Sequence, residues 1–518
     1  MTATVPPGRP AGPTPPGPTA PGDRVELAPG AAPADPRFVN EDLLPVPVAQ
    51  RRWTTYNFAA LWVGMAHNIP SWMLASGLVA LGMDWKQAVL TIALANVVVL
   101  LPMLLTGHAG PKYGIPFPVL ARASFGLRGA NLPALVRAAV ACAWFGIQTW
   151  IGGQGIFVLL DKAFGGGWAD ASRIGGQPWT LWLCFVLFWA LELALIYRGM
   201  EALRRFENWA APFVIVGALV LLGWIAYKAG GLGPLLDQPS KLGWGADFWP
   251  VFFPALMGMI AFWATLSLNI PDFTRFGAGQ RSQVLGQSLG LPTTMTLFAL
   301  LSVLVTSGSQ AVYGAPVWDP VALAAKTDNV FGLLFALVTV LVATLSVNIA
   351  ANVVSPAYDL ANLAPKHIDF RRGALITGVV GVVIMPWKLT ATPELYIFTW
   401  LGLVGGLLGT VAGILIADYW LVRRTVLDLA GLYRADGPYW YRGGWNPAAV
   451  LAFAVGGVLA VGGSHSAPGT GPFPEDGLIP FLRPLSDYGW AVGLAASLLL
   501  YTALMRRRPA GRSPARSS

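Results

Sequence analysis

The sequence predicts an all-α integral membrane protein with twelve transmembrane helices, from its composition and from the spacing of its apolar segments. Of the 518 residues, 55% are hydrophobic and only 11% are charged, whereas soluble domains carry about 25% charged residues. The mean hydropathy is +0.57. So few charges cannot cover a large surface that faces water, which excludes a soluble enzyme, a coiled coil and a disordered chain.

Apolar segments of about 18–28 residues, the length that a bilayer requires, recur along the chain. Lys and Arg are about twice as frequent in the even-numbered loops between them as in the odd-numbered loops. By the positive-inside rule, this bias predicts a multi-pass protein of the cytoplasmic membrane with both termini cytosolic. The predicted spans are 55–80, 86–106, 132–160, 179–198, 209–228, 248–269, 286–307, 329–353, 373–390, 394–421, 446–463 and 486–505.

The net charge of +9 comes from short basic runs, such as Arg371–Arg372, that lie between apolar segments. Such runs indicate membrane orientation, so we expect membrane lipids and no nucleic acid as partners. Residues 1–44 are rich in Pro and Gly and are expected to form a disordered cytosolic tail, and 506–518 a basic cytosolic tail. The only cysteines, Cys142 and Cys184, lie in apolar segments and predict neither a disulfide framework nor a metal site.

A short repeat suggests two related halves. The tripeptide Asn-Ile-Pro occurs at 68–70 in the first span and at 269–271 in the sixth span. Proline interrupts a helix, and the freed backbone groups are tolerated in a membrane only where they face protein or a wet cavity. Breaks at matching places in two five-span halves are typical of transporters with inverted repeats. A chance match of three residues is the alternative.

Polar and aromatic side chains inside the spans indicate a site for a flat ligand. Trp144 and Gln148 share one helix face at i and i+4, and Trp263 lies in the sixth span. An indole plane beside an amide suits a heterocycle, which can stack on the ring and pair with the amide. In the eighth span, Ser346 offers an oxygen ligand for sodium and Asn352 an amide for a substrate. Ordinary helix packing with interhelical amide bonds is the alternative in each case.

Few ionisable groups lie in or near the spans. We single out His67, Glu192, Asp272 and Asp359, because such groups are functional candidates by default. His67 titrates in the physiological range and could carry a proton. Glu192 and Asp359 could instead be structural partners of cytosolic arginines.

Enzyme signatures are absent from the sequence. It contains no H-E-x-x-H motif and no P-loop, and Gly463-Ser464-His465-Ser466 fails the G-x-S-x-G pattern at its last position. The four histidines show no spacing typical of metal ligands. We therefore expect no enzyme activity, no bound metal and no cofactor, which leaves a channel or transport driven by an ion gradient.

Several motifs in order resemble the nucleobase:cation symporter-1 family, which includes hydantoin, allantoin, uracil and cytosine permeases. The resemblance covers about residues 44 to 505. It rests on the segments Leu61–Met65, Lys112–Arg122, Trp144–Gly152, Asn269–Phe276, Asn348–Asp359 and Ile416–Arg424.

The resemblance implies a LeuT-like fold, with a first five-helix repeat over 45–230, an inverted second repeat over 245–425 and two further helices over 440–505. It also implies a substrate held between two indoles and bonded by amides. Carried over to this sequence, the indoles are those of Trp144 and Trp263, and the amide partners are Gln148, Asn352 and Asn68, the last where sodium-coupled relatives have Gln.

The sodium site of the family would fall on the backbone carbonyls of Gly64, His67 and Ala343 and on the hydroxyl of Ser346. Sodium-coupled relatives carry a second hydroxyl directly after that serine, and here the residue is Val347. A hard cation thereby loses an oxygen ligand. With His67 where an aliphatic residue is usual, this favours a coupling proton over sodium, with Asp272 and Asp359 as candidate gating or proton-relay groups.

The sequence thus predicts a secondary active cation symporter that imports a neutral nitrogen heterocycle, such as allantoin, uracil or a related nucleobase or hydantoin. It implies no obligate protein partner and no cofactor besides the coupling proton or sodium. A LeuT-like carrier for an amino acid or amine is the alternative within transport. An integral membrane enzyme or sensor would require a reactive cluster that the sequence does not show.

Overall fold

The computed structural model describes residues 23–27, 35–197, 200–327, 329–466, 469 and 471–506. These residues form a helical bundle with one short hairpin, in which β1 (Arg173–Ile174) pairs antiparallel with β2 (Gln177–Pro178). The α-helices are α1 Thr55–Ala66, α2 Ile69–Ala80, α3 Trp85–Gly107, α4 Ala109–Tyr113, α5 Phe117–Phe125, α6 Asn131–Ala163, α7 Trp179–Tyr197, α8 Met200–Lys228, α9 Gly233–Leu236, α10 Trp249–Asn269, α11 Pro271–Thr274, α12 Gln280–Tyr313, α13 Pro320–Ala325, α14 Val330–Asn352, α15 Val354–Leu363, α16 Phe370–Val383, α17 Pro386–Leu389, α18 Leu401–Ile416, α19 Pro447–Val461, α20 Arg483–Ser486 and α21 Gly489–Arg506.

All twelve predicted spans contain helix. Within the described residues, eight helical segments are long and apolar enough to cross a membrane, and shorter apolar helices cover Ile69–Ala80, Pro212–Lys228 and Pro447–Val461. The all-helical class is therefore confirmed, while the number of twelve spans stays a prediction. Helices α6 and α12 are longer than their predicted spans and continue past the apolar stretch into polar turns.

The first span is interrupted at His67 and Asn68, as the proline pattern predicts. His67 (φ −85°, ψ 68°) and Asn68 (φ −133°, ψ 162°) leave the helical region between α1 and α2. The Asn68 side chain then caps α2 by accepting from the backbone N of Ser71 at 2.7 Å, and Pro70 falls in the first turn, where no helical N–H is needed. The last backbone carbonyls of α1 thereby lose their helical partners, and those of Met65 and Ala66 accept from the Asn68 side chain and backbone instead.

The sixth span changes direction less than the first. Ile270, between α10 and α11, keeps right-handed helical angles (φ −53°, ψ −27°). The second Asn-Ile-Pro therefore produces a junction between two helices and not an extended stretch. The helical hydrogen bond is kept at this junction, because the N–H of Ile270 still donates to the Leu266 carbonyl of α10 at 2.8 Å.

The largest apolar core lies where α1, α2, α3, α6, α10, α12, α14 and α18 meet. It contains both Trp144 and Trp263, so the predicted ligand site is at the centre of the bundle. Two π-helical segments, Leu395–Trp400 and Ala417–Val422, flank α18. Such segments are frequent at functional sites.

Part of the predicted disordered tail is packed in the structure. Residues 35–44 lie on the end of the bundle formed by α4, α5 and the segment 427–439, and Leu43 is fully buried there. The Tyr433 hydroxyl donates to the Leu43 carbonyl at 2.8 Å. Apolar Phe38 and Leu43 supply the buried surface that the preceding Pro- and Gly-rich sequence lacks. Residues 1–22, 28–34 and 507–518 of the two predicted tails lie outside the described residues.

Candidate functional site

A central cavity of about 30 Å³ lies between the α1–α2 junction, α6, α10 and α14. It brings together all five residues that the sequence proposes as substrate contacts, although they come from four separate spans. The residues that line it are Met65, Asn68, Pro70, Trp144, Gln148, Phe262, Trp263, Thr265, Leu266, Val347, Ala351 and Asn352. None of these side chains is ionisable.

Aromatic rings meet edge-to-face around the cavity. The Phe262 ring lies 5.1 Å from the Trp144 ring and 4.9 Å from the Trp263 ring, at interplanar angles of 79° and 87°. Tyr396 also packs on Trp144, with centroids 6.0 Å apart, and Trp62 packs on Trp263 at 5.2 Å. Because Phe262 contacts both indoles and the open volume is small, a ligand of ring size requires Phe262 or its neighbours to move.

Several polar atoms at the cavity have no hydrogen-bond partner among the described residues. These are Gln148 Oε1, Trp263 Nε1 and Thr265 Oγ1, and the side chains that carry them are at least 95% buried. A buried polar atom without a partner costs about 1–3 kcal/mol, so a ligand that supplies partners is stabilised here. Asn68 is different, because its amide already donates to the Met65 carbonyl at 2.7 Å while it caps α2.

A chain of hydrogen bonds leads from the cavity to α7. Asn352 Nδ2 donates to Asn348 Oδ1 at 2.9 Å, and Asn348 Nδ2 donates to Glu192 Oε1 at 2.7 Å. The other carboxyl oxygen of Glu192 accepts from the Thr149 hydroxyl at 2.7 Å. Glu192 is fully buried. Its partners among the described residues are polar and neutral, and none of them is an arginine.

The residues of the predicted cation site are spread over α1, the α1–α2 junction and α14, which contacts α1. The Ser346 hydroxyl makes no hydrogen bond among the described residues. Ala343 lines a second, apolar cavity of about 140 Å³ together with Asn68. The His67 ring points away from the central cavity, with Nδ1 2.5 Å from the Val63 carbonyl and its centroid 4.9 Å from the Phe298 ring.

The two predicted gating aspartates belong to one buried cluster. Asp359 Oδ2 accepts from Arg137 Nη1 at 3.3 Å, and both side chains are inaccessible to solvent. The Asn269 side-chain nitrogen donates to the Thr265 carbonyl at 2.6 Å, and the Asn269 side-chain oxygen accepts from Arg137 Nη2 at 3.1 Å. Asp272 accepts from the backbone N of Phe117 at 2.8 Å and lies next to Asn269. The cluster thus joins α6, α10, α11 and α15.

This cluster lies one to two helical turns away from residues that line the central cavity. Asn269 follows the cavity residue Thr265 by about one helical turn, and Asp359 follows Asn352 by about two turns. Arg137 precedes Trp144 by about two turns on α6. Sequence reasoning missed Arg137, although an arginine inside the predicted span 132–160 is a signal by itself.

The opposite end of the cavity is covered by the π-helical segment 395–400. The Tyr396 hydroxyl donates to the Pro70 carbonyl at 3.1 Å, and Trp400 packs on Trp144 with centroids 6.4 Å apart. The cavity residues therefore contact further packed side chains on both sides. An interrupted first helix beside an uncharged cavity at the centre of a helical bundle is typical of a membrane transporter.

Comparison with known proteins agrees with this class. A family described as a permease for cytosine/purines, uracil, thiamine and allantoin matches residues 45–493, and the chain belongs to this family. Solved structures of Mhp1 superimpose on it with TM-scores of 0.74 for an inward-facing conformation and 0.72 for a closed conformation with bound bromovinylhydantoin, at 26% and 25% identity. They cover 91% and 90% of this chain, and 94% and 95% of Mhp1. The predicted LeuT-like fold is thereby confirmed.

Curated relatives are also permeases. An allantoin permease of Bacillus subtilis is 42% identical over 91% of this chain and 94% of its own length. A purine-uracil permease of Arabidopsis thaliana is 43% identical over 83% of this chain and 72% of its own length. The predicted family, and with it a nucleobase-type transporter, is confirmed.

Proposed function

We propose that the chain is a secondary active symporter of the cytoplasmic membrane, with cytosolic termini, that imports a neutral nitrogen heterocycle such as allantoin, uracil or a related nucleobase or hydantoin. The observation that carries this proposal is the lining of the central cavity, which consists of indoles, amides and apolar side chains without an ionisable group. Indoles offer flat apolar surface, and amides offer both donors and acceptors for ring N–H and C=O groups.

The same lining disfavours the alternative of an amino acid or amine carrier. A charged carboxylate or ammonium at this depth would need an opposite charge or strong hydrogen bonds to offset its lost hydration. The names of the relatives, which include allantoin and purine-uracil permeases, support the heterocycle, as does the hydantoin bound in Mhp1.

Transport would proceed by alternating access. The Arg137–Asp359 pair, with Asn269 and Asp272, would open the cavity to the cytosol, and the segment 395–400 would open it to the outside. A ligand that fills the space between the indoles and satisfies Gln148 would favour the enclosed conformation.

The coupling ion would be a proton or sodium, with the proton favoured. The Ser346 hydroxyl and the carbonyls freed at the break before Asn68 are oxygen ligands that suit sodium. Val347 weakens that site, because its side chain lines the cavity with an apolar surface where a second hydroxyl would serve.

The test is uptake of radiolabelled allantoin and uracil into proteoliposomes that contain the full chain, with a proton gradient and a sodium gradient imposed separately. A labelled amino acid is assayed in parallel. Accumulation of either heterocycle under one gradient is expected. Uptake of the amino acid alone would contradict the substrate class, and uptake that responds to neither gradient would contradict symport.

A further inference from the structure

We propose that Glu192 is the proton-binding group of this transporter and that its protonation reaches the substrate through Asn348 and Asn352. This inference rests on the proposed function and deepens it. The carboxyl group lies on the C-terminal half of α7, is fully buried and receives hydrogen bonds from Thr149 and Asn348. It is the end of the hydrogen-bond chain whose other end lines the central cavity.

Among the described side chains, no cation contacts the Glu192 carboxyl group. The carboxyl group's only described partners are the two neutral side chains of Thr149 and Asn348. None of the described ionisable side chains on the helices packed against α7 contacts it; they are Arg137, Cys142, Asp161 and Lys162 on α6, Lys228 on α8, and Arg371 and Arg372 on α16. α14 carries no ionisable residue. Arg137 already pairs with Asp359 and lies about three helical turns from Thr149. A buried carboxylate without a cation is costly, so the enclosed state favours the neutral acid.

The local geometry satisfies both protonation states without moving a heavy atom. When the carboxylate is ionised, Oε2 accepts from the Thr149 hydroxyl and Oε1 from Asn348. When Oε2 carries a proton, the acid donates to Thr149 Oγ1, and the threonine hydroxyl hydrogen turns to the Phe145 carbonyl, which lies 2.8 Å away. Asn348 retains its bonds to Oε1 and to the Phe145 carbonyl at 3.0 Å. One proton is gained and only hydroxyl hydrogens rotate.

The same bonds fix the substrate contact. Asn348 donates to Glu192 and to the Phe145 carbonyl, so its amide oxygen must face Asn352. Asn352 is then held with its nitrogen toward Asn348 and its oxygen available to a ring N–H in the cavity. Loss of the proton changes the strength of the hydrogen bond that Asn348 donates to Glu192. How firmly Asn348 holds the Asn352 amide changes with it. Glu192 thus acts on the substrate as a positioning residue while it carries the coupling proton.

The first test measures the proton itself. Infrared spectra of the purified full chain, recorded across a pH titration, are expected to show a carbonyl band of a buried protonated acid that is absent from Glu192→Gln. The band is expected to change when allantoin or uracil is added. This measurement does not require transport. If the band titrates but no heterocycle is transported, the proposed substrate class is contradicted and the proton site at Glu192 is retained.

The second test separates exchange from accumulation in proteoliposomes. Glu192→Gln imitates the neutral acid, so it is expected to retain exchange of labelled substrate across the membrane and to lose accumulation driven by a proton gradient. Substrate affinity should lose its pH dependence. Accumulation by Glu192→Gln with the proton stoichiometry of the wild type would overturn the inference, as would sodium-driven uptake by the wild type without proton movement.

Thr149 provides a graded pair of variants. Thr149→Val removes the bond that the ionised acid accepts and also the weaker bond that the neutral acid donates, so the pH of half-maximal substrate binding is expected to rise by about 1 unit. Thr149→Ser keeps the hydroxyl and is expected to titrate like the wild type. Equal titration curves for the valine and serine variants would contradict the proposed geometry.

Discussion

Trp144 gives the sharpest test of the ligand site, because the same helix offers a matched control. Both Trp144 and Trp150 are buried on α6, with exposures of 5% and 4%. Trp144 lines the central cavity, whereas Trp150 packs in a separate aromatic cluster with Trp182, Phe185 and Trp387. Replacement of either indole by alanine removes a similar volume from the interior.

Trp144→Ala is expected to weaken binding of allantoin or uracil about 5- to 150-fold, because stacking of a nucleobase on an aromatic ring contributes about 1–3 kcal/mol. Trp150→Ala should leave the Kd within about twofold. Each variant is expected to lose about 3–5 kcal/mol of folding stability, which thermal unfolding in detergent measures.

The assay is equilibrium binding of labelled substrate to purified protein, with each variant held well below its own melting temperature. The prediction depends on the difference between the two variants and not on either value alone. Equal Kd values for Trp144→Ala and Trp150→Ala would refute the stacking role, because both remove a buried indole from the same helix.

Three further predictions address neighbouring parts of the site. Gln148→Leu should raise the substrate Kd about 2- to 10-fold, since it removes one hydrogen bond; a direct binding measurement that finds no change would exclude Gln148 as a contact. Val347→Thr should increase uptake driven by a sodium gradient, because it restores a hydroxyl beside Ser346; an unchanged response to sodium would count against a cation site there. Arg137→Met should cost about 3–5 kcal/mol by leaving Asp359 buried without its partner, and a second substitution, Asp359→Leu, should recover most of that loss. A free energy of unfolding for Arg137→Met equal to that of the wild type would contradict the buried pair.

Local sequence patterns predicted the elements that depend on few neighbours. Low charge and the recurrence of apolar segments indicate membrane helices because a bilayer offers no water to the backbone. The proline after Asn68 indicates the interruption of the first span, since proline removes a helical hydrogen bond wherever it stands. Trp144 and Gln148 share a face because helix geometry fixes the direction of residues four apart. Trp263 and Asn352 on other spans are candidates by residue type alone, and motif resemblance then assigned them to one site with Trp144 and Gln148.

The tertiary structure decided whatever requires partners distant in the chain. Arg137 and Asp359 are separated by 222 positions, and their pairing depends on how α6 and α15 pack. The repeated Asn-Ile-Pro gives an extended break in one span and a nearly helical junction in the other, because neighbouring helical bonds differ. In the same way, the sequence alone does not decide whether Glu192 pairs with an arginine or takes part in ion coupling. Only the packing of α7 against α6 and α14 brings Thr149 and Asn348 to its carboxyl group, with no cation in contact among the described side chains. That environment determines the chemistry a buried acid can perform.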